Sequence, residues 1–194
     1  NPLAATTNYP YHLRWEGGRI PYISKSNCCP PNVVRTIAEV NNYMYSIGEK
    51  GLYVNMYGGS TLATELHNGT KIKLEQTTEY PWNGRISFNV KELSKNGTKI
   101  FMRIPGWCKR VDLKQNGKLL ATKNVNGFVE VTVKANDKLE LDMDMPATLI
   151  ESNPMVEETR NQVTVKRGPV VYCLESSDLK KKKIFDVVIP SNIK

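Results

Sequence analysis

The spacing of apolar residues along this chain changes period once, near Gly48. Val33, Ile37, Val40, Met44 and Ile47 recur at intervals of three and four, the spacing of one helical face. Val34, Ala38 and Tyr45 widen that face, so the pattern predicts a well-buried helix over 31–47. Pro30-Pro31 suits its first turn, where a missing N–H is no loss, and Gly48 suits its stop. Beyond Gly48 the period falls to two. Alternation predicts strands at 52–57, 71–78, 85–90, 99–104, 128–133, 138–143, 162–165 and 170–174. Residues 1–27 carry no long periodic segment; Pro10, Pro21 and Glu16-Gly17-Gly18-Arg19 punctuate them.

The punctuation between the strands is repetitive. Asn-Gly occurs at Asn68-Gly69, Asn83-Gly84, Asn96-Gly97, Asn116-Gly117 and Asn126-Gly127. Asn-Gly suits the two positive-φ positions of a type I′ hairpin turn. Such turns between short alternating runs predict a mainly β chain: an antiparallel β-sandwich, preceded by an irregular segment and one α-helix. The expected division is 1–48 and a β-sandwich domain at 49–194. Asn68-Gly69-Thr70 and Asn96-Gly97-Thr98 also match the glycosylation sequon, and both are read as hairpin turns.

Composition changes this picture little. The 194 residues carry 27 Lys+Arg against 19 Asp+Glu, a net charge of +8. Half of that excess is the run Lys180-Lys181-Lys182-Lys183. No aromatic residue is interleaved there to stack on bases, so the run reads as solvated surface and no nucleic-acid partner is expected. No stretch approaches the ~18 apolar residues of a membrane helix, so no membrane partner is expected either. The chain opens on Asn1-Pro2 without methionine, and this start is read as a cut from something larger.

The chemistry concentrates at Asn27-Cys28-Cys29-Pro30-Pro31-Asn32, which holds two of the four cysteines. A helix N-terminus carries about half a positive charge, and a thiol there ionises more readily than a free one. A thiolate is both a nucleophile and a zinc ligand, but two sulfurs do not close a tetrahedral site. From the residues alone the pair is a metal site, a nucleophile or two inert thiols. Cys108 and Cys173 read as small buried hydrophobes in strands. His12 and His67, the only histidines, form no spaced pair. Glu65, Glu75, Glu79, Asp142 and Asp144 lie on expected strands, and sequence selects no catalytic pair among them. Trp82 and Trp107 follow Pro81 and Gly106 at strand ends, where an exposed ring would stack on sugar and a buried one would pack in the core.

Several stretches together carry a resemblance: Cys28-Cys29-Pro30-Pro31-Asn32 with Arg35, Leu52-Tyr53-Val54-Asn55-Met56-Tyr57, Phe101-Met102-Arg103-Ile104-Pro105-Gly106-Trp107, and Val163 to Tyr172. They resemble the C-terminal part of glycoside hydrolase family 127, the β-L-arabinofuranosidase-like family once known as a domain of unknown function. The resemblance implies an (α/α)6 catalytic barrel followed by β-sandwich domains, so that residues 1–48 would be the end of the barrel. It implies a zinc-dependent bacterial enzyme that hydrolyses β-L-arabinofuranosides or related plant glycans with retention. It further implies that Cys28 is the nucleophile and a Zn2+ ligand, and that Cys29 is a second ligand. The family's other ligands, a glutamate and a third cysteine, and its acid/base glutamate lie upstream of the pair, and nothing in the 27 residues before Cys28 matches them.

The expected partners are therefore a plant-type oligosaccharide or polysaccharide and a missing N-terminal barrel, and the expected cofactor is Zn2+ in the full-length enzyme. The chain alone is expected to be inactive and to bind zinc weakly or not at all. A barrel helix cut from its neighbours would dock on the sandwich or drive a homodimer. Two further readings stand beside the enzyme: a carbohydrate-binding sandwich, or a purely structural accessory domain. The compartment stays open between bacterial periplasm, exterior and cytoplasm.

Overall fold

The computed structural model describes residues 29–175, 178–179 and 183–190. The chain divides into two compact units, Asn1–Tyr43 and Met44–Lys194. In the first, the described residues form helix α1 (Cys29–Glu39) and the start of a short helix, α2 (Asn41–Met44). The rest is strand: β1 (Tyr45–Gly48), β2 (Gly51–Val54), β3 (Ser60–Glu65), β4 (Lys71–Thr78), β5 (Arg85–Leu93), β6 (Thr98–Arg103), β7 (Val111–Gln115), β8 (Lys118–Leu119), β9 (Phe128–Val133), β10 (Lys138–Met143), β11 (Ala147–Glu151), β12 (Val163–Arg167) and β13 (Val170–Tyr172).

The helix is shorter than its apolar spacing predicts. Tyr45 to Gly48 leave it and pair antiparallel with Gly51–Val54, Glu49 and Lys50 making the turn. Two features favour the strand. Asn41 and Asn42 are weak helix formers, and Tyr45 gains polar partners as a strand residue. Its hydroxyl lies 2.8 Å from Ser60 Oγ and accepts from Gln76 Nε2 at 2.9 Å. The helix is also less buried than expected: Val34 and Ile37 are exposed, and Val33 and Val40 only half-buried.

The strands form sheets in the orders β1-β2-β6-β9, β3-β4-β5-β10-β7-β8 and β11-β12-β13. All described pairings are antiparallel except β2 with β6, where Leu52, Tyr53 and Val54 run parallel to Ile100, Phe101 and Met102. Alternate residues of the first two sheets turn into one core. Leu52, Val54, Ile100, Met102, Val129 and Val133 from the first meet Leu74, Ile86, Phe88, Leu113, Leu139 and Leu141 from the second, all essentially inaccessible to water. Each such side chain contributes about 1.5–3 kcal/mol by its burial, so this face-to-face layer is what makes the fold a sandwich. The third sheet is mostly exposed or half-buried.

The Asn-Gly pairs divide by role. Asn116 and Gly117 have φ of 52° and 79°, and Asn126 and Gly127 have 52° and 83°, as a type I′ turn requires. Asn68-Gly69 lies in the longer β3–β4 hairpin loop, where only the glycine has positive φ. Asn96-Gly97 connects β5 to β6, which belong to different sheets, so it makes a crossover and not a hairpin. Neither residue of Asn83-Gly84 has positive φ. Gly84 is needed for space: a Cβ there would stand 2.0 Å from the Met143 carbonyl oxygen, next to the 3.0 Å bond from Met143 N–H to the Gly84 carbonyl.

At one end of the sandwich, Asp137 ties two turns together. It accepts from Asn116 Nδ2 at 2.7 Å, Gln115 Nε2 at 2.8 Å and the Lys134 N–H at 2.7 Å. Burial alone would raise its pKa, but these donors hold it below the ordinary carboxylate value.

Two predictions follow from this packing. Gly84→Ala destabilises the chain by about 3 kcal/mol, because the new methyl must displace backbone, and a denaturant titration measures it. Asp137→Ala costs about 1 kcal/mol, a figure reduced for the solvent around this site. Because the folded-state pKa is depressed, the wild-type advantage is full above the unfolded carboxylate value of about 3.9. It vanishes as pH falls through the folded value, so melting curves of the two proteins converge in acid.

Candidate functional site

Helix α1 opens on the backbone of Cys29, with Pro30 and Pro31 in its first turn. Those prolines remove N–H groups that an N-terminal turn leaves unpaired in any case. One turn on, Thr36 Oγ1 donates to the Asn32 carbonyl at 2.8 Å. The first turn contains no acidic residue. The positive end of this helix therefore has no carboxylate of its own within that turn, and it favours a negatively charged group placed there. Cys28 lies outside the described residues, as does the side chain of Cys29.

Two adjacent thiols at such a position match zinc in chemical kind. They do not match it in number. Among the described residues no group of three or more His, Cys, Asp or Glu side chains gathers that could hold a metal ion. His67 is exposed in the β3–β4 loop, and His12 lies outside the described residues.

The other two cysteines differ from each other. Cys108 sits in a turn, not a strand, its N–H bonded to the Pro105 carbonyl at 2.9 Å. It is buried, its thiol donates to the Arg110 carbonyl at 3.1 Å, and burial pushes its pKa up. A thiol in that setting stays protonated and inert. Cys173 is exposed just after β13, so the expectation of a buried hydrophobe fails there. Strand β13 ends at Tyr172 and only the three-stranded sheet supports it, so no core reaches that position.

The tryptophans also separate. Trp107 packs half-buried against the core, close to Tyr80. Nearby, the Tyr57 hydroxyl donates to the Arg103 carbonyl at 2.5 Å. Burial pushes both Tyr57 and Tyr80 up, so both phenols remain neutral and close the end of the sandwich. Trp82 stands 67% exposed. Its carbonyl accepts from Arg167 Nη1 at 2.7 Å.

Next to Trp82 the fold makes a cleft of about 470 Å3. The ends of β5, β7, β10 and β12 and the residues next to them supply its charged wall: Arg85, Arg110, Arg167, Asp112, Asp142 and Asp144. Asp142 is the register partner of both Arg85 and Asp112. Arg85 Nε lies 3.7 Å from Asp142 Oδ2, the only ion pair of this wall among the described residues. Asp142 and Asp144 are recognisable in the sequence only as unpaired carboxylates. The polar alternation of Val111-Asp112-Leu113-Lys114 was the available signal for the strand that completes the wall. Of the remaining carboxylates, Glu75 is held by Lys91 at 2.8 Å, and Glu79 accepts from Asn83 Nδ2 at 2.8 Å. The hydrogen bonds from Lys91 and Asn89 hold Glu75 below its ordinary value.

Comparison with known proteins gives this geometry a context. Residues 51–147 match the family model of the GH127 beta-L-arabinofuranosidase middle domain, and residues 147–194 match that of the glycoside hydrolase family 127 C-terminal domain. A non-reducing end beta-L-arabinofuranosidase of Bifidobacterium longum subsp. longum is 34% identical over 157 residues, covering 78% of this chain and 24% of that protein. A solved structure described as a glycoside hydrolase superposes with a TM-score of 0.78 at 43% identity, over 90% of this chain and 30% of its own. A GH127 beta-L-arabinofuranosidase from Geobacillus stearothermophilus T6 superposes with a TM-score of 0.74 at 32% identity, over 82% of this chain and 25% of its own. The chain thus spans about a quarter of the curated relative and between a quarter and a third of these solved chains. The matches cover both the middle and the C-terminal β regions, and the chain belongs to glycoside hydrolase family 127.

Proposed function

We propose that this chain is the C-terminal portion of a retaining, zinc-dependent glycoside hydrolase that acts on β-L-arabinofuranosides or related plant glycans. In this reading Cys28 is the nucleophile and a zinc ligand, and Cys29 is a second ligand. The observation that carries it is the match to both family models, with the Cys28-Cys29 pair at the start of α1. Two named β-L-arabinofuranosidases among the relatives support the substrate class.

The chemistry follows from the thiol. The Cys28 thiolate attacks the anomeric carbon, and the bond from that carbon to the departing oxygen breaks. The departing oxygen takes a proton from a general acid. Water then attacks the same carbon, the C–S bond breaks back to thiolate, and the water's proton passes to the conjugate base of that acid. Two inversions leave the anomeric configuration retained. Bound zinc would keep both thiols ionised. The positive end of α1 acts in the same direction. The proton donor and the remaining zinc ligands come from sequence outside this chain, in keeping with its coverage of the relatives.

The test compares this chain with the longer protein that contains it, using a chromogenic β-L-arabinofuranoside. The chain alone is expected to give no turnover, and the longer protein measurable turnover. Cys28→Ser in the longer protein should cut kcat by more than a thousandfold while the fold, read by circular dichroism, stays intact. Turnover by the isolated chain, or an active Cys28→Ser protein, would overturn the assignment.

A further inference from the structure

The cleft lined by Asn83, Arg85 and Arg167 has a construction unusual for plain surface. Asp112 and Asp142 stand directly opposite each other across β7 and β10, an arrangement that destabilises a sheet. Arg85 offsets it weakly, since the pair is 3.7 Å apart and both side chains are more than half exposed. Arg167 is spent on the Trp82 carbonyl. Arg110 and Asp144 are joined through the main chain, Asp144 N–H to the Arg110 carbonyl at 3.0 Å, which brings their side chains to the same wall.

The charge balance narrows what fits. A small anion would meet three carboxylates, and a cation would meet three guanidinium groups. A metal ion is further disfavoured, because the three aspartates do not gather as a ligand set among the described residues. A guanidinium only donates hydrogen bonds and an ionised carboxylate only accepts them. A hydroxyl does both. A row of vicinal hydroxyls therefore satisfies alternating Arg and Asp side chains without a net charge. The volume of about 470 Å3 falls in the range of small-ligand sites, and the exposed Trp82, next in sequence to Asn83 of the lining and held to Arg167 through its carbonyl, offers a flat apolar face to a sugar ring.

We propose that this cleft is a glycan-binding site on the sandwich, which takes an uncharged sugar unit by its vicinal hydroxyls between Asp112, Asp142 and Arg110, with Trp82 next in sequence to Asn83 of its lining. The narrowing from polyol to sugar rests on the glycosidase reading above.

Affinity electrophoresis of the 194-residue chain through gels containing soluble plant arabinan, arabinogalactan or xylan tests this, with polymer-free gels as reference. Wild type should be retarded by at least one of the three polymers. Asp112→Asn and Arg110→Gln should each weaken the retardation at least tenfold, and Trp82→Ala at least threefold. Asp112→Asn should melt at or above the wild-type temperature, because it relieves the opposed carboxylates; a residue with only a structural role would not lose binding while gaining stability. Retardation of wild type by none of the polymers overturns the proposal, as does unchanged retardation in the two polar variants. Displacement of the polymer by inorganic phosphate or calcium chloride at millimolar concentration would also overturn it, assigning the wall to ions. The assay reads binding without turnover, so its failure leaves the Cys28 assignment to its own test.

Discussion

The structure depends on one layer of contact, the burial of two sheet faces against each other. Leu52, Val54, Ile100 and Met102 on one side and Ile86, Phe88, Leu139 and Leu141 on the other leave essentially no surface to water. Strand periodicity then dictates the rest. On β5, β7 and β10 the residues flanking these core positions point outward, so Arg85, Asp112 and Asp142 reach a common wall because their neighbours Ile86, Leu113 and Leu141 are held inside. The close approach of Gly84 to Met143 belongs to the same packing, since a side chain at 84 would separate the β5 end from β10.

That constraint explains what the family-like stretches do here. Phe101 to Trp107 forms the second half of β6 and the turn after it, near Tyr57 and Tyr80. Val163 to Tyr172 forms the β12–β13 hairpin, whose Arg167 grips the Trp82 carbonyl. These segments shape and seal the β portion. The thiol pair lies ahead of it in the chain, at the head of α1, where the peptide dipoles favour negative charge. Cys108 shows the opposite environment, a buried thiol held protonated. Burial in the core and attachment to the Arg110 carbonyl are what hold the Cys108 thiol inert.

Much of the β architecture was legible from alternation. Strands 71–78, 128–133 and 138–143 coincide with β4, β9 and β10 end to end, because each has one fully buried and one solvated face. Legibility failed where that contrast fades. Ser60–Glu65 is an edge strand without a fully buried residue, and Ala147–Glu151 is nearly all exposed. Residues 45–47 satisfied a helical period by coincidence, and pairing with β2 overrode it. The crossover at Asn96-Gly97 and the parallel β2–β6 pair are properties of sheet order, which no local turn signal records. The cleft was illegible for the same reason: Arg85, Asp112 and Arg167 are far apart in sequence and meet only through register and the third sheet. Behind Cys28-Cys29 the helix was legible from its apolar period and its prolines, and among the described residues no group of three metal-ligating side chains gathers.

The proposal on which most rests is that Cys28 and Cys29 would be two zinc ligands of a site completed elsewhere in the longer protein. Native mass spectrometry at matched zinc concentrations tests this directly. The account predicts one zinc per copy of the longer protein, lost in Cys29→Ser, and no retained zinc on the 194-residue chain. Equal zinc retention by the chain alone, or zinc in the longer protein that survives Cys29→Ser, would contradict it.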